Sequence, residues 1–174
     1  GTAHAVGVFH VDLKPENVFL ALRAGETVPK VLDFGVALVT ASEGAMAESS
    51  ALTRDGAMVG TPAYMAPEQL AGDPVDHLAD IWALGVMLYE CLAGGRPLAD
   101  YGRGQMLRLI LTVAITPLEV VAPHVPPDIA GVVMQMLLRQ REDRLSDLSV
   151  LYQTLETHCS IRCSAPWKTT SWAP

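Results

Sequence analysis

The run "IWALGVMLYECLA", residues 81–93, constrains the fold more than any other part of this sequence. Apolar side chains would lie on nearly every side of the helix that it predicts, and Gly94-Gly95 directly after it is a C-cap signal. The run contains Glu90 and is shorter than the roughly 20 residues that a membrane-spanning helix needs. It therefore predicts a helix that other parts of the protein enclose on most of its surface.

Three further segments have the spacing of helices that could enclose it. The first is "RGQMLRLILTV", residues 103–113. Pro126-Pro127-Asp128 opens the second, whose apolar residues recur at helical spacing: Ile129, Val132, Val133, Met136 and Leu137. Ser146 is the predicted N-cap of the third, which repeats that spacing: Leu148, Leu151, Tyr152 and Leu155. The body of the protein is therefore predicted to be mostly helical.

The part of the chain ahead of these helices has a different pattern. Two short apolar runs, Val18–Leu20 and Val28–Leu32, predict a β hairpin with "ALRAGET" between its strands. From Asp33 to Glu68 the sequence has little apolar periodicity and several Ser, Thr and Gly residues. Loops of this length inside a compact domain are usually functional or disordered, so this stretch is a candidate for carrying function.

Composition excludes some classes of function. The net charge of −7 is the opposite of the basic footprint that nucleic-acid-binding domains carry. Three cysteines, at positions 91, 159 and 163, are too few for a disulfide framework or a four-cysteine zinc site, and they favour a reducing cytoplasmic location. A metal site at Cys159 and Cys163 is the less favoured alternative. We expect no nucleic-acid partner and no membrane segment in this chain.

Four polar motifs follow one another along this framework. "HVDLKPEN" at 10–17 precedes the first predicted strand, "DFG" at 33–35 follows the second, "GTPAYMAPE" at 60–68 ends the long stretch, and "DIWALG" at 80–85 opens the buried helix. An isolated Asp and Asn in such a cluster would be interpreted as turn-capping residues. In this order and spacing, the motifs resemble the large lobe of protein kinases, specifically of bacterial Ser/Thr kinases of the eukaryotic-like kind.

The resemblance implies a protein kinase-like α+β fold, with a mainly α-helical C-terminal lobe and a small β hairpin. We expect a partial kinase domain over residues 1–156 and a disordered tail over residues 157–174. No Gly-rich loop and no V-A-I-K-like lysine precede the catalytic motif. The N-terminal lobe is therefore expected to be absent and to be a missing partner, and the chain by itself is expected to transfer no phosphate. A bare interface for that lobe would explain the high apolar content of 50%.

The resemblance also implies residue roles in transferring the γ-phosphate of ATP to a Ser or Thr hydroxyl of a protein substrate. Asp12 would accept the proton of that hydroxyl, and Lys14 would offset the charge that develops on the phosphoryl group. Asn17 and Asp33 would hold Mg²⁺ ions through hard oxygen ligands. Phe19 would lie under the adenine ring, and Lys14 would also contact the nucleotide.

Substrate type is implied by a pair of residues. Lys14 together with Thr61 is similar to the Ser/Thr-specific pattern rather than the tyrosine-specific one, and Thr61 would help to shape the hydroxyl site near Asp12. The alternative for Thr61 is a turn residue before Pro62.

Structural roles are implied for five other residues. His10 and Phe34 would stack, and Glu68 and Arg144 would form a buried ion pair. Asp80 would accept hydrogen bonds from backbone N–H groups of the catalytic loop. Plain core packing is the alternative for the aromatic residues.

Position 11 departs from the family pattern. Val11 stands where many relatives have an Arg that binds a phosphate on the activation loop. Because Val has no hydrogen-bond donor, phosphorylation of the loop cannot act through that contact. The candidate loop residues are Thr40, Ser42, Ser49, Ser50 and Thr53. We expect an enzyme that is active without loop phosphorylation or is gated elsewhere.

Two other hypotheses are open at this point. A pseudokinase or interaction module would keep the lobe as a docking surface, and Val11 and the absence of a small lobe favour it. A degraded or frame-disturbed gene would explain the patternless end of the chain after His158. An active Ser/Thr kinase is the leading hypothesis, because all four residues that serve the chemistry are present: Asp12, Lys14, Asn17 and Asp33.

Overall fold

The computed structural model describes residue 4 and residues 6–23, 25–33, 38–39, 62–98 and 103–158. Several predictions concern residues outside these ranges, namely those on Phe34, on Thr61, on the Ser and Thr residues between 40 and 53, and on residues 159–174. The predictions for the hairpin, the helices and most of the motif residues fall inside them.

Short strands form two antiparallel pairs in the described part of the chain. Strand β1, Val8–Phe9, pairs with β4, Leu38–Val39, and strand β2, Val18–Arg23, pairs with β3, Glu26–Val31. The predicted hairpin is present, but "ALRAGET" is mostly strand rather than loop. Arg23 pairs with Glu26, and Gly25 between them has a φ of 86°, a left-handed conformation that glycine adopts without steric cost.

The helices follow the strands along the chain. They are α1 Pro67–Ala71, α2 His77–Ala93, α3 Arg103–Thr112, α4 Leu118–Val121, α5 Pro127–Met136 and α6 Leu148–His158. Single 3₁₀ turns occupy Pro15–Asn17, Pro62–Tyr64 and Arg141–Asp143. Helix α6 extends two residues past the predicted domain boundary at 156. None of the helices that the structure describes is long and apolar enough to cross a membrane.

Helix α2 is the centre of the described fold. It begins earlier than "DIWALG" because the carboxylate of Asp76 accepts a hydrogen bond from the N–H of Leu78 at 2.9 Å and caps the helix. The main apolar cluster contains Trp82 of this helix, and a second cluster contains Ile81. Helix α5 packs closely on α2, because a Cβ added at Gly85 would lie 2.9 Å from the Cβ of Met136. The apolar run is therefore enclosed on two sides, as its sequence predicts.

The N-cap predicted for α6 is wrong. Asp147, and not Ser146, caps this helix, because its carboxylate accepts a hydrogen bond from the N–H of Ser149 at 2.9 Å. The helix begins at Leu148, so Asp147 is the residue directly before its first turn and is the one whose side chain can reach the exposed N–H groups. Hydrogen bonds from the hydroxyl and the N–H of Ser149 lower the pKa of Asp147.

Candidate active site

The segment from His10 to Asn17 joins β1 to β2, and hydrogen bonds between its own residues hold its shape. Pro15 begins the 3₁₀ turn, because its fixed φ suits the first position of a helical turn. The backbone N–H of Asn17 donates to the carbonyl of Lys14 at 2.9 Å. The buried side-chain Nδ2 of Asn17 donates to the carbonyl of Asp12 at 2.8 Å. Asn17 thus fixes the loop backbone with its amide nitrogen, while its amide oxygen is an acceptor by its chemistry.

Asp12 and Lys14 form an ion pair at the surface of this loop. The Lys14 Nζ lies 2.6 Å from the Asp12 Oδ2, and the side chains are 19% and 34% exposed. The Nδ2 of Asn17 is 3.4 Å from the same carboxylate oxygen. A pair with this exposure contributes only about 0–1 kcal/mol to stability. The pair matters instead for the position of the Asp12 carboxylate, which both the Lys14 cation and the amide donor of Asn17 face.

The buried carboxylate of Asp80 on α2 binds the backbone at the start of the loop. One oxygen of Asp80 accepts a hydrogen bond from the N–H of His10 at 2.9 Å, and the other accepts one from the N–H of Val11 at 2.8 Å. The Nε2 of His4 lies 2.9 Å from the Asp80 Oδ2. Charge-assisted hydrogen bonds of this kind are stronger than neutral ones. The backbone directly before Asp12 is therefore fixed to the central helix.

The chain leading to Asp33 is held against the same loop. The N–H of Leu32 donates to the carbonyl of Asn17 at 2.8 Å, and the Nε2 of His10 is 2.8 Å from the carbonyl of Leu32. Asp33 follows directly, is exposed, and has a φ of 66°, a left-handed conformation that Asp tolerates better than most residues. The structure therefore brings the backbone that carries Asp33 beside Asn17. The ring of His10 contacts Leu32 through Nε2, and its Nδ1 accepts the N–H of Asp12 at 3.3 Å. The predicted stacking on Phe34 lies outside the described residues.

Both faces of the β2–β3 hairpin carry exposed apolar side chains, Phe19 on one face and Leu20, Leu22 and Val31 on the other. Phe19 on β2 is 57% exposed and Leu22 on the same strand is 79% exposed. Leu20, Val31 and Leu32 are exposed as well. Phe19, the residue predicted to lie under an adenine ring, is therefore accessible from outside.

Glu68 and Arg144 form a bidentate ion pair in the interior. Their side chains are 2% and 0% exposed, and the guanidinium nitrogens lie 2.7 and 2.9 Å from the two carboxylate oxygens. Arg144 also donates to three backbone carbonyls, those of Leu78, Leu138 and Arg139, and lies over the ring of Trp82. The pair connects α1, at the end of the long stretch, with the segment before α6.

Two further contacts at the end of the long stretch were not predicted from the sequence. The amide of Gln69 bonds to the carbonyl of Val11 at 2.7 Å, and the hydroxyl of Tyr64 donates to Glu90 at 2.6 Å. Burial, and then the bond to Glu90, raise the pKa of Tyr64, so its hydroxyl stays protonated and able to donate. The only sequence signal for Gln69 is its spacing three residues after Ala66, which is typical of half a capping box.

The oxygen donors of this site suit Mg²⁺. This ion prefers hard oxygen ligands, keeps several waters and is held by one or two protein groups together with substrate phosphates. Asn17 and Asp33 would supply one amide oxygen and one carboxylate. Among the described residues, no group of three or more His, Cys, Asp or Glu side chains could hold a metal ion. The oxygens of Asn17 and Asp33 therefore fit a metal that takes its other ligands from a nucleotide and water.

A loop fixed by hydrogen bonds, an acidic residue after the second hairpin strand, and a helical lobe built around α2 form the arrangement expected of the protein kinase class. A family profile described as "Protein kinase domain" matches residues 2–157. The chain belongs to the protein kinase family.

Bacterial Ser/Thr kinases are among the relatives of this chain. The chain is 39% identical over 166 residues to the serine/threonine-protein kinase Pkn1 of Myxococcus xanthus, covering 94% of this chain and 23% of that protein. It is 36% identical over 183 residues to PknD of Chlamydia pneumoniae, covering 98% and 19%. Over 96 residues it is 48% identical to pkn3 of Myxococcus xanthus, covering 55% and 17%. The chain thus spans about a fifth of the length of these curated relatives.

Proposed function

We propose that this protein transfers the γ-phosphate of ATP to a Ser or Thr hydroxyl of a protein substrate. The observation that carries the proposal is the geometry of the catalytic loop. Asp12 is half-buried, has Lys14 at 2.6 Å, and stands on a backbone that Asn17 and Asp80 fix by hydrogen bonds. Positioning and charge neutralisation are most of what a protein supplies to phosphoryl transfer, so a rigid loop with these groups suits that reaction.

Each residue of the loop has a role in this proposal. Asp12 accepts the proton of the substrate hydroxyl and orients its oxygen toward the γ-phosphorus. Lys14, a mobile point charge on a long side chain, neutralises negative charge on the transferred group. Thr61 shapes the hydroxyl site and favours Ser and Thr substrates, as the resemblance implies. His10 and Asp80 do not touch the reacting atoms and act by holding the loop.

Asn17 and Asp33 are proposed to hold Mg²⁺ against the phosphates of ATP. When bound, the ion neutralises phosphate charge and orients the γ-phosphate. The hydrogen bond from Asn17 to the carbonyl of Asp12 fixes the amide so that its oxygen is available as a ligand. Phe19 is proposed to contact the adenine ring, because its side chain is accessible on the surface of the hairpin.

We infer that a second lobe of the kinase type completes the nucleotide cleft. The exposure of Phe19 on the β2–β3 hairpin supports this inference, since a cleft for adenine needs a second wall. The Gly-rich loop and strand lysine of the family are not among residues 1–174. Residues 1–174 by themselves are then expected to transfer no phosphate. The cytoplasmic location expected from the few cysteines stays a prediction.

A phosphotransfer assay tests the proposed function. The full-length protein, meaning residues 1–174 together with the second lobe inferred above, is incubated with γ-labelled ATP, Mg²⁺ and a generic protein acceptor. It is expected to give labelled phosphoserine or phosphothreonine and no phosphotyrosine. Chelation of Mg²⁺ with EDTA is expected to abolish the signal, because the site has too few ligands to retain the metal. Binding of ATP without any transfer would contradict the proposal and support a pseudokinase instead.

The identity of residue 11 gives a separate prediction about regulation. The side chain of Val11 has no donor for a loop phosphate. Treatment of the full-length protein with a phosphatase is therefore expected to change its activity less than about twofold, which is the effect of an ordinary surface substitution. The measurement is the initial rate before and after treatment, with heat-inactivated phosphatase as the control. Loss of most of the activity would show that a loop phosphate acts through another contact.

A further inference from the structure

The backbone of Val11 has an unusual conformation. Its φ is 67°, in the left-handed region, and Val is β-branched. Residues of this type rarely adopt positive φ, because the branched side chain collides with the backbone there. Such conformations persist when surrounding contacts determine them, and they concentrate at functional sites. Val11 directly precedes Asp12, so whatever holds this conformation also orients the proposed catalytic base.

Two side chains from distant parts of the sequence hold the backbone of Val11. On one side, Asp80 accepts its N–H at 2.8 Å. On the other side, the Nε2 of Gln69 donates to its carbonyl oxygen at 2.7 Å. That carbonyl belongs to the peptide unit that joins Val11 to Asp12. Both hydrogen-bonding groups of Val11 are therefore engaged, although its side chain can engage none.

The amide of Gln69 is itself fixed in orientation. Its Oε1 accepts a hydrogen bond from the N–H of Ala66 at 2.9 Å, at the start of α1. Because one neighbour is a donor and the other an acceptor, only one orientation of the amide satisfies both. Gln69 thus joins the start of α1, which follows the long stretch, to the peptide before Asp12.

We propose that Gln69 is a positioning residue for phosphoryl transfer, which holds the Val11–Asp12 peptide in its left-handed geometry and so orients the Asp12 carboxylate. The inference rests on the proposed function. Gln69 directly follows the "APE" at residues 66–68, and it contacts the loop that carries Asp12. The alternative is that Gln69 only caps α1 and has no influence on Asp12.

Gln69→Glu separates the two roles. The substitution keeps an oxygen that can accept from the N–H of Ala66, but it removes the donor and sets a carboxylate oxygen against the carbonyl of Val11. In the full-length protein we expect kcat to fall roughly 10- to 100-fold, as for a small misplacement of a catalytic group. KM for ATP is expected to stay unchanged, and the protein is expected to stay folded at the assay temperature although its melting temperature falls. Gln153→Glu, the same chemical change on the exposed surface of α6, is expected to leave kcat unchanged.

A rescue experiment tests the mechanism. Glycine adopts positive φ without steric cost, so the loop of a Val11→Gly protein depends less on a hydrogen bond to hold it. The loss of kcat caused by Gln69→Glu is therefore expected to shrink to less than about threefold in the Val11→Gly background, in line with the coupling that contacting residues show. A role limited to capping would give the same loss in both backgrounds.

Three outcomes are distinguishable. A Gln69→Glu protein with wild-type kcat, or an equal loss in both backgrounds, would overturn the positioning role. If Asp12→Asn still removes activity in that case, the proposed function stands and only the role of Gln69 is lost. If Asp12→Asn leaves activity unchanged, the proposed function itself fails.

Discussion

Asp12→Asn is expected to lower kcat of the full-length protein roughly 100- to 10,000-fold, the range typical of removing a general base. The amide of Asn has nearly the shape of the carboxylate but cannot accept the proton of a substrate hydroxyl. It also deprives Lys14 of the carboxylate oxygen that lies 2.6 Å from its Nζ. Because Asn17 bonds to the backbone carbonyl of Asp12 and not only to its side chain, the loop itself is expected to keep its structure.

The measurement is the initial rate of phosphate transfer at saturating ATP, with the melting temperature measured on the same preparations. Asp73→Asn is the matched control, since it makes the same chemical change on the exposed surface between α1 and α2. The control is expected to retain wild-type kcat. Activity within threefold of wild type in the Asp12→Asn protein would mean that another group serves as the base.

Arg144→Met is expected to reduce the free energy of unfolding by about 3–5 kcal/mol, the cost of breaking a buried ion pair from one side. Methionine fills much of the same volume but leaves the carboxylate of Glu68 buried with its charge unpaired. It also leaves the carbonyls of Leu78, Leu138 and Arg139 without the guanidinium donors that they now have. These losses act together, so the effect belongs at the upper end of what single substitutions cause.

Urea unfolding followed by tryptophan fluorescence measures this loss, because Trp82 lies under the guanidinium and is buried. The control is Arg141→Met, whose partner Asp76 forms a pair with both side chains 33% exposed, for which at most about 1 kcal/mol is expected. The double variant Glu68→Leu/Arg144→Met is expected to lose less than Arg144→Met alone, because no charge is then left unpaired. Equal midpoints for Arg144→Met and wild type would contradict the argument.

The sequence predicted the helices in which apolar residues recur at regular spacing. Helix α2 was evident from its apolar run. The roles of Asp12, Asn17 and Asp80 rest on the resemblance that motifs of several residues carry, and they stay predictions. Strand β1 and helix α4 were not predicted, since elements this short contain no full period of apolar spacing. The wrong N-cap at Ser146 has a similar cause, because Asp147 is also a good capping residue and spacing alone does not separate neighbours.

The contacts between Gln69 and Val11, in contrast, could not be predicted from the sequence. They depend on a backbone conformation that no spacing encodes and on an approach between residues that are 58 positions apart. The sequence identified Val11 as unusual only for the side-chain contact that it cannot make. The structure adds that its main chain makes the contacts instead, which requires the fold of α1 and α2 around the loop.

The carboxylate of Asp80 has a consequence for how activity is lost on heating. It joins the amides of His10 and Val11 to a helix that is enclosed on both sides by the apolar core. Loops that open by themselves do so where few buried contacts hold them, and this loop has its anchor on a helix with nine buried residues. If the proposed function holds, thermal loss of phosphoryl transfer should therefore track melting of the helical core, with no temperature at which the core is intact and the loop of Asp12 has already opened.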